Sequence, residues 1–489
     1  NLRRVAAHPM PADGGFAFAS DGGDFTSAVH RCTGVGKCRA GVSGTFMCPS
    51  YLATREEKDV TRGRARILQE AANSRLVRAI DSPEVLEALD LCLACKACSA
   101  DCPAGVDMAR YRSEVLYRTY RGRVRPLSHY TLGWLPRLTR VTARVPGLAA
   151  LGNAVLSVPL LRRLAFRVIG LDPRRGMPKL QSGTFTAWAR HRSLLATSAP
   201  SHSDPGASAR ERGGTPASSD SAREREATTA SSLSDSPILS GPHDPGGRPY
   251  ALVWADSFSQ TLDDAGAHAV VDVLDANGFA PIVAPDACCG LTWITTGQLS
   301  GAKKHLTELL STLAPFAGIP IIGVEPSCTA VLRDDLRDLL PEDPRSALVS
   351  RATHTLAEAL SAVPDSARRL PDLSGVTIVA QPHCHHYSVM GWDTDQALLE
   401  SLGARVLRLE GCCGLAGNFG MEAGHYDLSL AVASHSLLPT LSAHPEAVYL
   451  ADGFSCRTQA SQLAGRAGVH LATLLAKRGV RSGALSAER

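Results

Sequence analysis

The run Cys92-x2-Cys95-x2-Cys98-x3-Cys102-Pro103 (CLACKACSADCP) constrains this chain more than any other feature. Thiolates at that spacing, carried on one short loop, reach three irons of a single cubane cluster, while the fourth cysteine usually reaches the other cluster of a pair. A zinc site typically draws on two separated cysteine pairs instead. Buried free thiols give no reason for the spacing at all. The segment therefore has to fold around an inorganic core, as ferredoxin-type units do.

The chain has 14 cysteines in 489 residues. Secreted disulfide scaffolds are normally short, and these cysteines cluster at ligand spacings, so they read as thiolate ligands in a reducing compartment. The opening stretch from Asn1 to Asp24 lacks an apolar core run, so no secretory segment is expected there. The localisation expected is cytoplasmic, at most at the inner face of a membrane.

If Cys102 serves a second cluster, its other ligands come from Cys32, Cys38 and Cys48-Pro49, the nearby candidates. By the same exchange, Cys48 completes the [4Fe-4S] cluster held by Cys92, Cys95 and Cys98. The upstream segment (RCTGVGKCRAGVSGTFMCPSY) departs from the usual run, with Val35 in the place of a middle cysteine. Cys32, Cys38 and Cys102 then remain. Three thiolates hold a [3Fe-4S] cluster, or a [4Fe-4S] cluster whose fourth iron takes another ligand, for which His30 is a candidate.

The expected architecture is multidomain: a small α-helical ferredoxin-type unit plus further helices, then a duplicated α/β unit. Residues 1–24 read as a connecting tail, 25–126 as the iron-sulfur unit and 127–195 as a helical connector. Helices are expected over Thr61 to Ala72 and Ala109 to Tyr120, each following a Cys-Pro pair. Residues 196–248 turn abruptly to Ser, Ala, Pro, Gly, Asp and Arg, with Leu233, Ile238 and Leu239 the only large apolar residues. Such a stretch buries too little surface to offset its ordering entropy, and a disordered linker is expected.

Charge and composition exclude other classes. A formal charge of +4 gives no electrostatic case for nucleic acid, and 5% aromatics supply few stacking platforms. The uncharged stretch Val145 to Leu161 is shorter than the roughly 20 residues needed to cross a bilayer. It reads as packed helix or as a surface for a partner or membrane.

After the linker, strand-like runs at Tyr250–Trp254, Pro281–Ala284, Pro320–Val324, Val376–Ala380, Arg405–Leu409 and Ala447–Leu450 alternate with helical ones. That pattern predicts parallel α/β units. It also repeats, over 249–370 and 371–489. Cys288-Cys289-Gly290 leads to Cys328 over 39 residues, and Cys412-Cys413-Gly414 leads to Cys456 over 43. Adjacent cysteines put two thiolates on one centre, and the glycine permits close backbone approach. The second copy adds Cys384, in HCHH, to make four thiols. The first has Phe258 near that position and keeps three. The second copy is thus the stronger candidate for an iron-sulfur or zinc centre. His383, His385 and His386 are ligand, proton-donor or loop residues, and Glu325 and Gly453 stand three residues before Cys328 and Cys456. Trp254, Trp293 and Trp392 read as core or interface residues and not as electron relays.

These motifs carry a resemblance. A ferredoxin-type pair with CPSY and TRGRAR after Cys48, then CLACKACSADCP, then EPSC, HCHH, GCCGLAGNFG and ADGFSC is similar to the iron-sulfur half of FAD-linked D-2-hydroxyacid dehydrogenases. It resembles the iron-sulfur subunits of glycolate oxidase and of anaerobic glycerol-3-phosphate dehydrogenase and, most of all, the fused D-2-hydroxyglutarate or D-lactate type. The resemblance implies an electron-transfer module. A FAD-bearing domain or subunit would oxidise the hydroxyacid and pass electrons through clusters to a quinone, cytochrome or soluble carrier. Peripheral membrane contact would suit that role. The Cys-Cys-Gly pairs also resemble those of heterodisulfide reductase, which makes a thiol or disulfide enzyme one alternative. A zinc-stabilised binding module is the other. Glu325 and Gly453 replace the first cysteine of that reductase's Cys-x2-Cys, which weakens the disulfide reading.

Overall fold

The computed structural model describes residues 10–11, 13–39, 46–73, 77, 79–200 and 238–477. Among these residues, eleven α-helices precede the sheets: α1 Phe25–Val29, α2 Pro49–Thr54, α3 Thr61–Asn73, α4 Pro83–Asp90, α5 Ala97–Asp101, α6 Met108–Thr119, α7 Leu127–Thr131, α8 Leu135–Arg144, α9 Leu148–Ser157, α10 Pro159–Ile169 and α11 Phe185–His191. Their starts follow local chemistry. Asp24 caps α1 by accepting from the N–H groups of Thr26 and Ser27, and Asp107 caps α6 through Arg110 N–H. Pro49 opens α2, where its missing N–H leaves nothing unsatisfied. The expected helices over 61–72 and 109–120 are α3 and α6.

Among the described residues seven strands form two parallel sheets: β1 Tyr250–Trp254, β2 Ala280–Val283, β3 Ile321–Gly323, β4 Thr353–His354, β5 Thr377–Ala380, β6 Arg405–Arg408 and β7 Val448–Leu450. The first sheet has the order β2-β1-β3-β4 and the second β6-β5-β7. In each, the unit's first strand is central, its second lies on one side and its third on the other. Register pairs Val253 with Val283 and Ile322, and Val379 with Leu407 and Tyr449. All six expected strands are present. The unexpected one, β4, is two polar residues long and carries no apolar run to reveal it.

The units share their cores. One core joins Phe25, Met108 and Tyr111 of the cysteine-rich unit to Leu309 and Val331 of the first α/β unit. A second joins Val270 and Leu356 to Ile378 and Leu474 across the two α/β units. A third packs Leu93, Cys95 and Ala97 with Cys384, Cys412, Cys413 and Cys456.

Two segments are more ordered than composition suggests. In the expected tail, Phe16 and Phe18 are buried, and Glu114 accepts hydrogen bonds from Gly15 and Phe16 N–H. The expected disordered linker 196–248 gives way at both ends. Ala196 N–H donates to Val283 O at 2.8 Å, and Ile238 and Leu239, two of its three large apolar residues, pack on the core. The middle, 201–237, lies outside the described residues.

Candidate metal centres

Every cysteine of the second α/β unit stands just beyond the carboxyl end of a strand. Cys384 follows central β5, Cys412 and Cys413 follow β6 on one side, and Cys456 follows β7 on the other. Loops leaving a central strand and both its neighbours diverge at a switch point, where parallel sheets place ligands. Here the four thiols converge. Cys412 is within hydrogen-bonding reach of Cys384 and Cys413, and Cys413 of Cys456. The bonds from Cys412 and Cys456 hold the Cys413 thiol well below its usual range, while those neighbours are driven far above theirs. Several buried thiolates repel one another strongly unless a cation compensates them, so this donor set fits a metal or cluster.

The turn around Cys412 and Cys413 is braced from behind. Gly414 has φ 93° and lies so close to the helix over 426–433 that an added Cβ would stand 2.3 Å from Ser429 O. No other residue fits there. Gln459 donates to Cys413 O at 3.0 Å, and Ser429 Oγ to Gly414 O at 2.7 Å. Arg175, fully buried, donates to Gln459, Ser429 and Gly420 O. No sequence signal reveals that brace, because Arg175 lies 237 residues before Cys412.

The first α/β unit repeats the plan with one thiol fewer. Cys289 is within hydrogen-bonding reach of Cys288 and Cys328, and Phe258 follows β1 where Cys384 follows β5. The Cys289 bond lowers the Cys328 thiol, but burial and nearby acids carry it up to about 12. Glu325 and Gly453, each three residues before a last cysteine, belong to facing loops. Glu325 Oε2 accepts from Phe454 N–H at 2.9 Å, and Phe258 stacks on Phe454 with centroids 5.5 Å apart. Burial, with Asp256 nearby, pushes Glu325 up to about 8. A Cβ on Gly453 would stand 2.3 Å from His383 Cδ2, so the imidazole occupies the room a cysteine would need.

In the cysteine-rich unit, Cys92, Cys95 and Cys98 lie on a loop in which Ala94 and Lys96 adopt left-handed backbone, at φ 51° and 59°. Non-glycine residues hold that conformation at a cost of about 1–3 kcal/mol each. Cys48, also left-handed, is close enough to Cys98 to perturb it. Its sulfur accepts from Thr61 N–H at 3.0 Å, and that of Cys98 from Met108 N–H at 3.3 Å. Burial pushes Cys48 up to about 11. The pocket is thus dry, with donors aimed at sulfur. Cys32, Cys38 and Cys102 line a separate small cavity of about 20 Å³, along with Val35. His30 is not among its lining residues, and its Nδ1 stands 2.7 Å from Thr26 O.

The cluster loop docks on both α/β units in different ways. Lys96, 4% exposed, bonds Asp107, Asp334 and Asp335 at 2.7–3.2 Å. Burial opposes its charge, yet those carboxylates hold the ammonium above its ordinary value. Toward the second unit the contacts are mostly uncharged. His385 Nε2 lies 2.9 Å from Ala94 O, and Tyr387 stacks on Phe46 at 4.0 Å and donates to Asp101. Cys384 thereby becomes a neighbour of Cys95, whose thiol is pushed well above its ordinary value by burial and then by Cys384. Both border a narrow, largely apolar cavity of about 100 Å³, with His383, His385, Glu325 and Phe258 also in its wall. Trp254, Trp293 and Trp392 are buried core residues.

Residues 28–106 match the 4Fe-4S dicluster domain. That span contains all seven cysteines of the first unit. The chain is similar over most of its length to D-2-hydroxyglutarate dehydrogenases. It is 25% identical to the Escherichia coli K12 protein over 478 residues and 27% identical to the Pseudomonas putida one over 483, covering 89% and 91% of this chain and 42% of each relative. A subunit of the anaerobic glycerol-3-phosphate dehydrogenase of E. coli K12 is 27% identical over 218 residues, which is 42% of this chain and 54% of that protein. The chain thus spans less than half the length of the D-2-hydroxyglutarate dehydrogenases it matches.

Proposed function

We propose that this chain is the electron-transfer portion of a flavin-linked D-2-hydroxyacid dehydrogenase. The observation that carries the reading is the docking of the CLACKAC loop on the HCHH loop, which makes Cys95 and Cys384 neighbours in one water-excluded core. In this reading Cys48, Cys92, Cys95 and Cys98 hold a [4Fe-4S] cluster, Cys32, Cys38 and Cys102 hold a second cluster, and Cys384, Cys412, Cys413 and Cys456 hold a third centre. When bound, such clusters supply one-electron carriers of low reorganisation energy. The protein's part is to keep them close, dry and tuned. Thr61 and Met108 N–H groups stabilise thiolate charge, Lys96 places a cation beside the cluster loop, and Arg175 holds the Cys412–Gly414 turn in place.

Substrate oxidation belongs to a FAD-bearing portion in this proposal, and the two α/β units are a duplication of which the second keeps the full ligand set. The cavity between Cys95, Cys384 and Glu325 is where a small, flat electron acceptor would approach both sites. The test is anaerobic stopped-flow mixing of the reconstituted chain with a reduced D-2-hydroxyglutarate dehydrogenase flavin domain. Bleaching of the cluster absorbance that requires Cys95 supports the proposal. Absence of bleaching with a fully loaded chain refutes it.

A further inference from the structure

The surface of α8 to α10 contradicts the usual rule for amphipathic helices. Thirteen of the fifteen exposed large hydrophobic residues among the described residues lie between Val124 and Val168. They are not scattered. On and beside α8 they fall at Trp134, Leu138, Val141 and Val145, on and just after α9 at Leu151, Val155 and Val158, and on α10 at Leu160, Leu161, Leu164 and Val168. Each set repeats at intervals of three and four, so each helix presents an apolar stripe. In a packed helix that stripe faces the core. Here it faces outward, while α9 and α10 each bury only one residue, Ala149 and Phe166.

Charge identifies the occupant. Between Glu114 and Asp172 the chain carries ten arginines and no Asp, Glu or Lys. Arg140 and Arg144 are engaged by Asp286, but Arg137, Arg163 and Arg167 are exposed and pair with no carboxylate among the described residues. Leucine and valine stripes flanked by arginines without acidic partners are complementary to a surface that is apolar inside and anionic at its rim. A bilayer with acidic headgroups has that profile.

Geometry sets the mode of contact. No single helix is long and apolar enough to cross a membrane, and α9 and α10 meet at a bend of 102°. Ten- and eleven-residue helices at that angle do not form one span of about 20 residues. We propose that α8, α9 and α10 lie in the plane of an anionic phospholipid bilayer, with Leu151, Val155, Leu160, Leu164 and Val168 entering the headgroup–acyl boundary. The proposal stands independently of the electron-transfer reading.

The experiment is co-sedimentation of the anaerobically prepared chain with vesicles of phosphatidylcholine alone or mixed with phosphatidylglycerol. Binding is expected to the mixed vesicles and to fall at high salt. Leu160→Glu/Leu164→Glu should weaken it by about tenfold or more, and Arg163→Glu/Arg167→Glu by a similar factor that vanishes on neutral vesicles. Unchanged iron content and circular dichroism establish that the variants remain folded, as their exposed positions predict. Failure of the parent chain to bind mixed vesicles overturns the proposal, and so does undiminished binding by the leucine variant. Binding that disappears when a flavin-bearing portion is joined to the chain also overturns it, by making the face an interface within the enzyme.

Discussion

The two Cys-Cys-Gly turns leave equivalent strands in equivalent sheets, yet their surroundings differ in kind. The second faces a fourth thiol, Cys384, and is braced by Arg175, Ser429 and Gln459. The first faces Phe258, whose ring is engaged in a stack with Phe454. One loop position therefore separates a fourth converging thiol from an aromatic contact that joins the two units. The cluster loop shows a parallel contrast, held to the first unit by charge through Lys96 and to the second largely by packing and uncharged hydrogen bonds. The same strand-and-loop plan thus accommodates either a fourth thiol or an aromatic contact at one position.

The largest effect expected is on metal content. Cys413→Ser removes the thiol that contacts both Cys412 and Cys456 and should eliminate the metal of the second α/β unit, while Cys289→Ser leaves total iron and sulfide unchanged. Elemental analysis of anaerobic preparations distinguishes them, and equal losses would erase the contrast. Next is the ionic anchor. Lys96→Met leaves Asp107 and Asp335 with only the longer ion pairs to Arg110, at 3.7 and 3.8 Å, and should cost about 3 kcal/mol in denaturant unfolding. A cost below about 1 kcal/mol would mean that Arg110 alone compensates those acids and that Lys96 is not the anchor.

Smaller effects sharpen the comparison. Gly453→Ala forces a methyl group against His383 and should destabilise by about 1–3 kcal/mol without altering the coordination of Cys456. Phe258→Cys restores a fourth thiol to the first unit. It should lose about 1 kcal/mol with the Phe454 stack yet gain metal on reconstitution. Unchanged metal content would show that Glu325 and Asp256, and not the missing thiol, prevent that site from taking a cluster.

Much of this was legible in the sequence because strands and ligand loops are local. β1, β2, β3, β5 and β7 each announce themselves by an apolar run and β6 by Val406 and Leu407 between arginines, and each cysteine follows a strand or sits in a spaced motif. The grouping of Cys32 and Cys38 with Cys102 followed from the ligand-exchange rule. What could not be read is long-range. Arg175 against Gln459, Lys96 against Asp334 and Tyr387 against Asp101 join residues whose separation hides them from any periodicity. Phe16 and Phe18 lie in a segment too short to show a pattern, and their burial depends on Glu114 of a distant helix.

Electron transfer as proposed requires a cluster on the CLACKAC loop adjacent to a second centre at Cys384. Electron paramagnetic resonance of the reduced, anaerobically reconstituted chain tests it most directly. Labile sulfide is expected, with a spectrum broadened by magnetic interaction among the centres that simplifies in Cys384→Ser to that of the cluster pair of the cysteine-rich unit. A chain without labile sulfide, or a spectrum indifferent to that substitution, would contradict it.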